Sequence, residues 1–431
     1  MHRLSRTKRA TGVLVALPIV ALLAACSGAS EPAAPEGPID LTMTVWTAND
    51  DHLAMLNGIG DAFVKANPDL VSSVTIETIP ADSYTTGLTT RIAGGDSPDL
   101  AWLFESSALE FVDSGALYPL NKTFEGTDGY DLPDVSTDAL ALWTSDDEIY
   151  AYPFSSAPQA IFVNSDLIAA AGQPSPRELV ASGDWTWDKV AELGTAVSAS
   201  TGKVGFDFSS FNYANWQYLG GLFEGYGAAP WSEDGKTCTF DSPEMVDAMT
   251  WVHDGAFTDK FLVAPGNTTD FASGQVAMSM GGPSMANSFD DTFAWDVVPM
   301  PTGPEGSSNV IGQAGIGVLK SGQNPDVAAQ FLAFLSDPEN STKIAAYFPP
   351  ARTSLLDAAV LAEANPRLSE EQIEQVIVEG GQDAVTLPSH AQFASLQQQV
   401  RTALDALWVP DADIESVLAA TCDAIQPTLD K

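Results

Sequence analysis

Residues 40–104 read DLTMTVWTANDDHLAMLNGIGDAFVKANPDLVSSVTIETIPADSYTTGLTTRIAGGDSPDLAWLF, and the periodicity of this stretch decides the fold class. Leu41, Met43 and Val45 alternate with threonines, the period of a strand. Leu53, Leu56, Ile59 and Phe63 then recur at helical spacing until Asn67 and Pro68 stop the helix. Val74 to Ile79 is a second strand, Tyr84 to Ala93 a second helix closed by Gly94 and Gly95, and Leu100 to Phe104 a third, apolar strand. The order βαβαβ implies parallel strands joined by crossover helices, an α/β layer architecture.

Outward from that unit, Ile149 to Asn164 reads as extended, followed by helices at Asp166 to Ala171 and at Trp187 to Ser198, the latter capped by Thr186. Lys203 to Phe208 is a strand and Tyr213 to Phe223 helical, and Ser242 and Pro243 open a helix to Phe257. Val276 to Met280, Phe293 to Val298 and Gly315 to Leu319 are strands, the last preceded by a Pro- and Gly-rich loop at Pro299 to Ser308. Asn324 caps a helix that Pro325 begins. Beyond Pro350 the chain is nearly all helical, with an amphipathic stretch at Phe393 to Trp408.

A length of 431 residues suits two or three domains, each with its own core. Apolar residues make up 45% and charged residues 17%, the composition of a folded chain. Against 57 Asp and Glu stand 18 Lys and Arg, a formal charge of −39. Such a surface disfavours nucleic acid and acidic headgroups and leaves a neutral or cationic partner. Only four His and three Cys are present, so nucleophiles, general bases and soft metal ligands are few.

Searches for chemistry come back empty. Gly235, Lys236 and Thr237 resemble the end of a phosphate-binding loop, but Pro230 stands where that loop needs glycine. Gly315 and Gly317 lack the third glycine of a dinucleotide fingerprint, and no HExxH or GxSxG occurs. Asp128, Asp131 and Asp134 lack the glycine and terminal Glu of a calcium loop and read as a solvated acidic loop. Neither cofactor nor metal is expected. A carboxylate pair for glycoside hydrolysis is made in space, so an extracytoplasmic carbohydrate-active enzyme is the alternative reading, and an adhesive surface lipoprotein a third.

The first 25 residues form a secretory leader: a basic start (Arg3, Arg6, Lys8, Arg9) and an apolar run from Gly12 to Ala25, interrupted by Pro18 and too short for a final anchor. Leu23, Ala24, Ala25 and Cys26 resemble the lipobox of bacterial lipoproteins, which implies lipidation at Cys26 and an anchor on the extracytoplasmic side of the cell membrane. Residues 26–38 are small, polar and Pro-rich, a tether. In that oxidising compartment Cys238 and Cys422 favour a disulfide over two free thiols.

The mature chain resembles the sugar-type extracellular solute-binding proteins of ABC transporters, family 1. The marks are Trp46 after the opening strand; Gly94 to Leu100 before the third; Tyr152, Pro153 and Phe154 followed by Phe162 to Leu167; Trp185 to Asp188; Phe271 to Met278; and Val298 to Pro301. Together they span nearly all of residues 39–431. The resemblance implies a two-lobe periplasmic-binding-protein fold of type II, with ligand between the lobes. It divides the chain into lobe 1 (39–155), lobe 2 (156–311), a return to lobe 1 (312–348) and a return to lobe 2 (349–431), with crossings near Phe154, Gly312 and Pro349. The implied function is non-catalytic: a monomer that binds a neutral mono- or oligosaccharide by lobe closure and hands it to permease subunits.

Carried over by position, the cleft receives Trp46, Asn49, Asp50, Trp102, Glu105 and Ser106 from lobe 1, with Gln313 at the return. From lobe 2 come Asn212, Tyr213, Trp216, Gly282, Ser284, His390 and Phe393. Trp102, Trp216 and Phe393 are the expected stacking rings, with core packing the other reading of Trp102 and Trp216, while Trp185 and Trp187 read as helix-entry packing. Asp50, Glu105, Asn212, Gln313 and His390 are the expected hydrogen-bonding partners. Ser284 replaces an aromatic that many relatives carry after Gly-Pro, and Ala157 an acid that some carry beyond Tyr152 and Pro153.

Overall fold

The computed structural model describes residues 37–290, 292–382 and 384–431. The leader, Cys26 and all but the end of the tether lie outside the described residues. Residues 38–431 form one compact unit built on two sheets.

Strand β1 (Ile39–Val45) pairs in parallel with β2 (Val71–Thr78) and β3 (Leu100–Phe104), the crossovers being helix α1 (Asp50–Ala66) and α2 (Tyr84–Gly94). The alternation seen in sequence is the alternation of faces: Leu41, Met43 and Val45 are sealed in the core. Gly95 closes α2 in the left-handed conformation at φ 78°. Asp99, next in that motif, accepts from Thr42 N–H, Thr42 Oγ1 and Gln323 N–H, so the Gly94 to Leu100 signature ties strands together.

Strand β4 (Ala151–Pro158) runs off this first sheet, and after Gln159 alone β5 (Ala160–Asn164) enters the second. There β5 lies between β7 (Val276–Gly281) and β8 (Trp295–Val298), antiparallel to both, and β6 (Val204–Phe208) pairs in parallel with β7. Ile161 and Val163 face one core and Phe162 the other. Helix α3 (Trp187–Thr201) packs so closely on β6 that a Cβ on Gly205 would meet the Gly194 carbonyl oxygen at 2.3 Å. Trp185 and Trp187 are buried at the entry to α3, their Nε1 atoms donating to Pro299 O and Ser308 Oγ, both at 2.9 Å.

Strand β9 (Val310–Val318) returns to the first sheet, antiparallel to both β3 and β4. It begins five residues before the expected Gly315. Its glycines blur the apolar pattern, and Gly315 is required because the Trp143 ring stands 2.9 Å from where its Cβ would be. The short β10 (Val385–Thr386) pairs with Val310 and Ile311, so part of the segment assigned by sequence to lobe 2 joins the sheet of lobe 1. Helix α4 (Pro325–Leu335) opens at the expected proline, although Asn324 makes no side-chain cap bond.

Arg352, fully buried, fixes the last crossing: it donates to the carbonyls of Tyr130, Asp131 and Ser336 and to Asp134 Oδ2, with its guanidinium 4.9 Å from the Tyr130 ring centre. Asp134 also accepts from Thr353 and Ser354, which corrects the reading of its loop as merely solvated. Helices α5 (Phe393–Leu404) and α6 (Ile414–Leu429) complete lobe 2, where Cys238 and Cys422 are disulfide-bonded with Cα atoms 5.3 Å apart.

Candidate functional site

Because β1 and β3 are parallel, their carboxyl ends share one edge of the sheet, the edge at which open α/β sheets hold ligands. Trp46 follows β1 and stacks on Phe104, the last residue of β3, with ring centres 4.0 Å apart and planes 17° from parallel. Tyr84 and Trp102 meet Trp46 edge-on at 5.2 and 4.9 Å. Trp102 in turn stacks on Phe154 at 4.5 Å, and Phe348 packs edge-on to both. His52, in the first turn of α1, lies 4.6 Å from the Tyr347 ring and 5.0 Å from that of Phe348. Trp46, His52, Phe104, Tyr347 and Phe348 all keep part of their surface open. The result is an aromatic platform backed by buried rings.

Polar groups surround it. Burial holds the His52 imidazole below its ordinary pKa against the opposing Asp51 charge, while its Nδ1 pairs with Thr47 Oγ1 at 3.0 Å. Glu105 follows β3 directly. It is 8% exposed, and burial pushes its carboxyl up to about 7 although its own backbone N–H donates to it. Gln313 Oε1 accepts from Trp143 Nε1 at 3.3 Å, and Gln313 opposes Ser156 in the β9–β4 register. His52 Nε2, Trp102 Nε1, Ser156 Oγ and Ser389 Oγ are buried without a protein hydrogen-bond partner. Buried polar atoms are nearly always paired, so each of these is a group that a ligand or water could satisfy.

Lobe 2 approaches from the other side. The amino end of α5 packs between the Glu105 turn of lobe 1 and the Trp216–Leu219 turn of lobe 2, and Glu110 accepts from Ala394 N–H across the gap, although burial raises its pKa. Gly282 lies over the crossing strands, with Ala157 Cβ 3.8 Å from where its own Cβ would be. Ser284 is half-buried in the turn that follows.

The residues expected from sequence divide into groups. Trp46, Glu105, Ser106 and Gln313 come together at the carboxyl edge of lobe 1, and Asp50 stands exposed beside them at the start of α1. Asn49 is committed to capping α1, its Oδ1 accepting from Asp51 and His52 N–H. His390 is likewise engaged, with Nε2 to Gly235 O at 3.1 Å and Nδ1 accepting from Gln392 N–H. Asn212 and Tyr213 sit in a loop, although a helix was expected from Tyr213: Ser210, Asn212 and Tyr213 adopt left-handed φ values of 67°, 44° and 55°, and the helical turn starts only at Trp216.

The stacking assignment needs correction in this conformation. Trp102 and Trp216 are each 1% exposed and Phe393 3%, so none offers an open ring face. Trp216 is enclosed by Trp231, Phe240 and Phe393, with ring centres 5.5 to 6.0 Å away. The open rings are those of Trp46 and the four neighbours that sequence reasoning missed: His52, Phe104, Tyr347 and Phe348. A signal was present in Tyr347–Phe348–Pro349–Pro350, an aromatic pair immediately before a helix-stopping pair at the expected third crossing.

Two α/β lobes joined by crossing segments, with an aromatic platform at the strand ends of one, are the architecture of a two-lobe solute-binding protein of type II. The chain belongs to the family of bacterial extracellular solute-binding proteins, whose family model matches residues 50–342. An uncharacterized lipoprotein in the oleD 5' region of Streptomyces antibioticus is 24% identical over 359 residues, 78% of this chain and 74% of its own. Among solved structures, an ABC substrate-binding protein from Listeria monocytogenes in complex with cycloalternan gives a TM-score of 0.78 at 24% identity, over 91% of this chain and 99% of its own. The GacH receptor of Streptomyces glaucescens, solved unliganded and with acarbose, gives 0.76 at 21% identity over 91% and 99%. Maltose-bound MalE3 of T. maritima gives 0.76 at 20% over 90% and 100%. Among the described residues no helix is long and apolar enough to cross a membrane.

Proposed function

We propose that the protein binds a neutral mono- or oligosaccharide between its lobes, without chemical turnover, and delivers it to the permease of an ABC importer. The observation that carries this reading is the half-open Trp46 ring, stacked on Phe104 at the carboxyl ends of β1 and β3, with the unpaired His52 Nε2 on the helix that follows β1. A sugar offers C–H faces to such a ring and hydroxyls to such groups, and needs no countercharge. The sugars bound by the solved relatives from Listeria and T. maritima fit the same chemistry. The protein acts as a monomer, held at the extracytoplasmic face of the membrane by lipid on Cys26.

A thermal-shift and tryptophan-fluorescence screen over neutral mono- and oligosaccharides tests the reading. A sugar that binds stabilises by about 2.7 kcal/mol at 100 times its Kd, and Trp46→Ala weakens it by at least about tenfold, or about 1.4 kcal/mol. Unchanged affinity in Trp46→Ala, or conversion of the bound sugar to a new product, overturns the assignment. Cys26→Ser releases the protein from membranes with sugar binding intact, and its retention there removes the anchor from the proposal.

A further inference from the structure

Lobe 2 holds a cavity of its own, of about 280 Å³, at the carboxyl end of β6. Asp207, Ser279 and Asp270 line it together with the rings of Phe208, Phe211 and Tyr213, and none of the residues lining it is basic. Asp207 and Ser279 oppose one another in the β6–β7 register. Asp207 Oδ1 is sealed from solvent without a hydrogen-bond partner. The loop over the cavity carries the three left-handed residues Ser210, Asn212 and Tyr213, and strain of this kind clusters at ligand clamps.

We propose that this cavity is a subsite for a protonated amine carried on a sugar-sized ring, an amino-sugar unit, and that Asp207 is the residue that selects it. The inference rests on the carbohydrate reading and departs from it in one respect, the charge of the unit bound. A volume of this size is at the lower end for small-molecule sites and suits a single ring. A neutral hydroxyl brings one donor and no charge, leaving a buried carboxylate uncompensated beside Asp270. An ammonium brings three donors and the missing charge. Burial pushes the Asp207 carboxyl up to about 7, with the Ser279 hydrogen bond opposing and Asp270 reinforcing the shift. Tyr213, partly exposed, supplies ring surface for the C–H faces of the same unit and for its cation.

Calorimetric titration of the purified protein at neutral pH with glucosamine, glucose and N-acetylglucosamine tests this. Glucosamine should bind at least about tenfold more tightly than the two uncharged sugars, about 1.4 kcal/mol. Asp207→Asn should bring it to their level while melting at or above the parent temperature, because the substitution removes an unpaired buried charge. Equal binding of glucosamine and glucose, or a preference that survives Asp207→Asn, overturns the inference. If neutral oligosaccharides still bind in that case, the proposed function stands alone. No saturable response to any sugar, neutral or amine-bearing, overturns both.

Discussion

Replacing Glu105 with Gln isolates the cost of holding a carboxylate at the mouth of β3. Burial raises this acid from its ordinary 4.5 to about 7. Between those values the native protein keeps a proton that the unfolded chain has released, so native stability falls as pH rises. At 1.36 kcal/mol per pH unit, the loss accumulated by neutral pH is about 3 kcal/mol. Glutamine has the same shape and does not titrate. Glu105→Gln should therefore match the parent below about pH 4.5 and exceed it by up to about 3 kcal/mol above pH 7. Urea unfolding at a series of pH values between 4 and 8, read as the midpoint at constant slope, measures the difference directly. Parallel curves for parent and variant across that range would falsify the account of Glu105 as an acid raised by burial. A second readout ties the acid to function: a sugar that donates hydroxyls to the carboxylate favours its ionised form, so binding near pH 6 should release protons. Calorimetry in buffers of different ionisation heat detects that release, and a heat independent of buffer would separate Glu105 from the ligand.

Three further outcomes follow from the packing. Trp216→Ala empties a space enclosed by Trp231, Phe240 and Phe393 and should destabilise by about 3 to 5 kcal/mol; a normal melting temperature with lost sugar affinity would return Trp216 to the ligand. The Cys238–Cys422 bond closes a separation of 184 residues, for which the chain-entropy model gives about 5 kcal/mol as an upper figure; an unfolding midpoint indifferent to reductant would contradict it. Arg352→Met leaves Asp134 and the carbonyls of Tyr130, Asp131 and Ser336 without their buried donor, and a loss below about 1 kcal/mol, against the expected 3 or more, would show that the last crossing is held by something else.

What was legible in the sequence followed from periodicity and punctuation. The strand at Leu100 to Phe104, the Ser242–Pro243 and Thr186 helix starts and the Asn67 stop are local signals with local causes, and they stand where they were read. The start of β9 was not legible, because Gly312 and Gln313 interrupt the apolar run there and answer to tertiary neighbours, Gln159 and Trp143. The expected helix from Tyr213 begins three residues late for the converse reason: Tyr213 is held at positive φ, with Ser210 and Asn212 before it, in a loop over a cavity, against local preference. Among the rings, sequence position put Trp46, Trp102 and Trp216 near strand ends and turns, but which face solvent depends on what packs behind them. Phe154 covers Trp102 from another strand, and Phe393 covers Trp216 from a helix nearly 180 residues away.

The unpaired groups also bear on how closure is kept conditional on ligand. In the conformation described, the lobes touch through Glu110 and Ala394; Glu110 Oε2, Ser156 Oγ and Ser389 Oγ are buried without a hydrogen-bond partner, and burial raises the Glu105 carboxyl. Each polar group buried in this way costs about 1 to 3 kcal/mol, and more when charged. An empty closed state therefore carries several kcal/mol of penalty that an open, hydrated cleft does not. A ligand whose hydroxyls satisfy these groups removes the penalty only in the closed state, which is the differential affinity that population shift requires. Moving an equilibrium from 1:99 to 99:1 takes about 5.5 kcal/mol, a span that two or three such groups cover. On the proposed reading, filling the same positions with apolar side chains would stabilise closure and abolish its dependence on ligand.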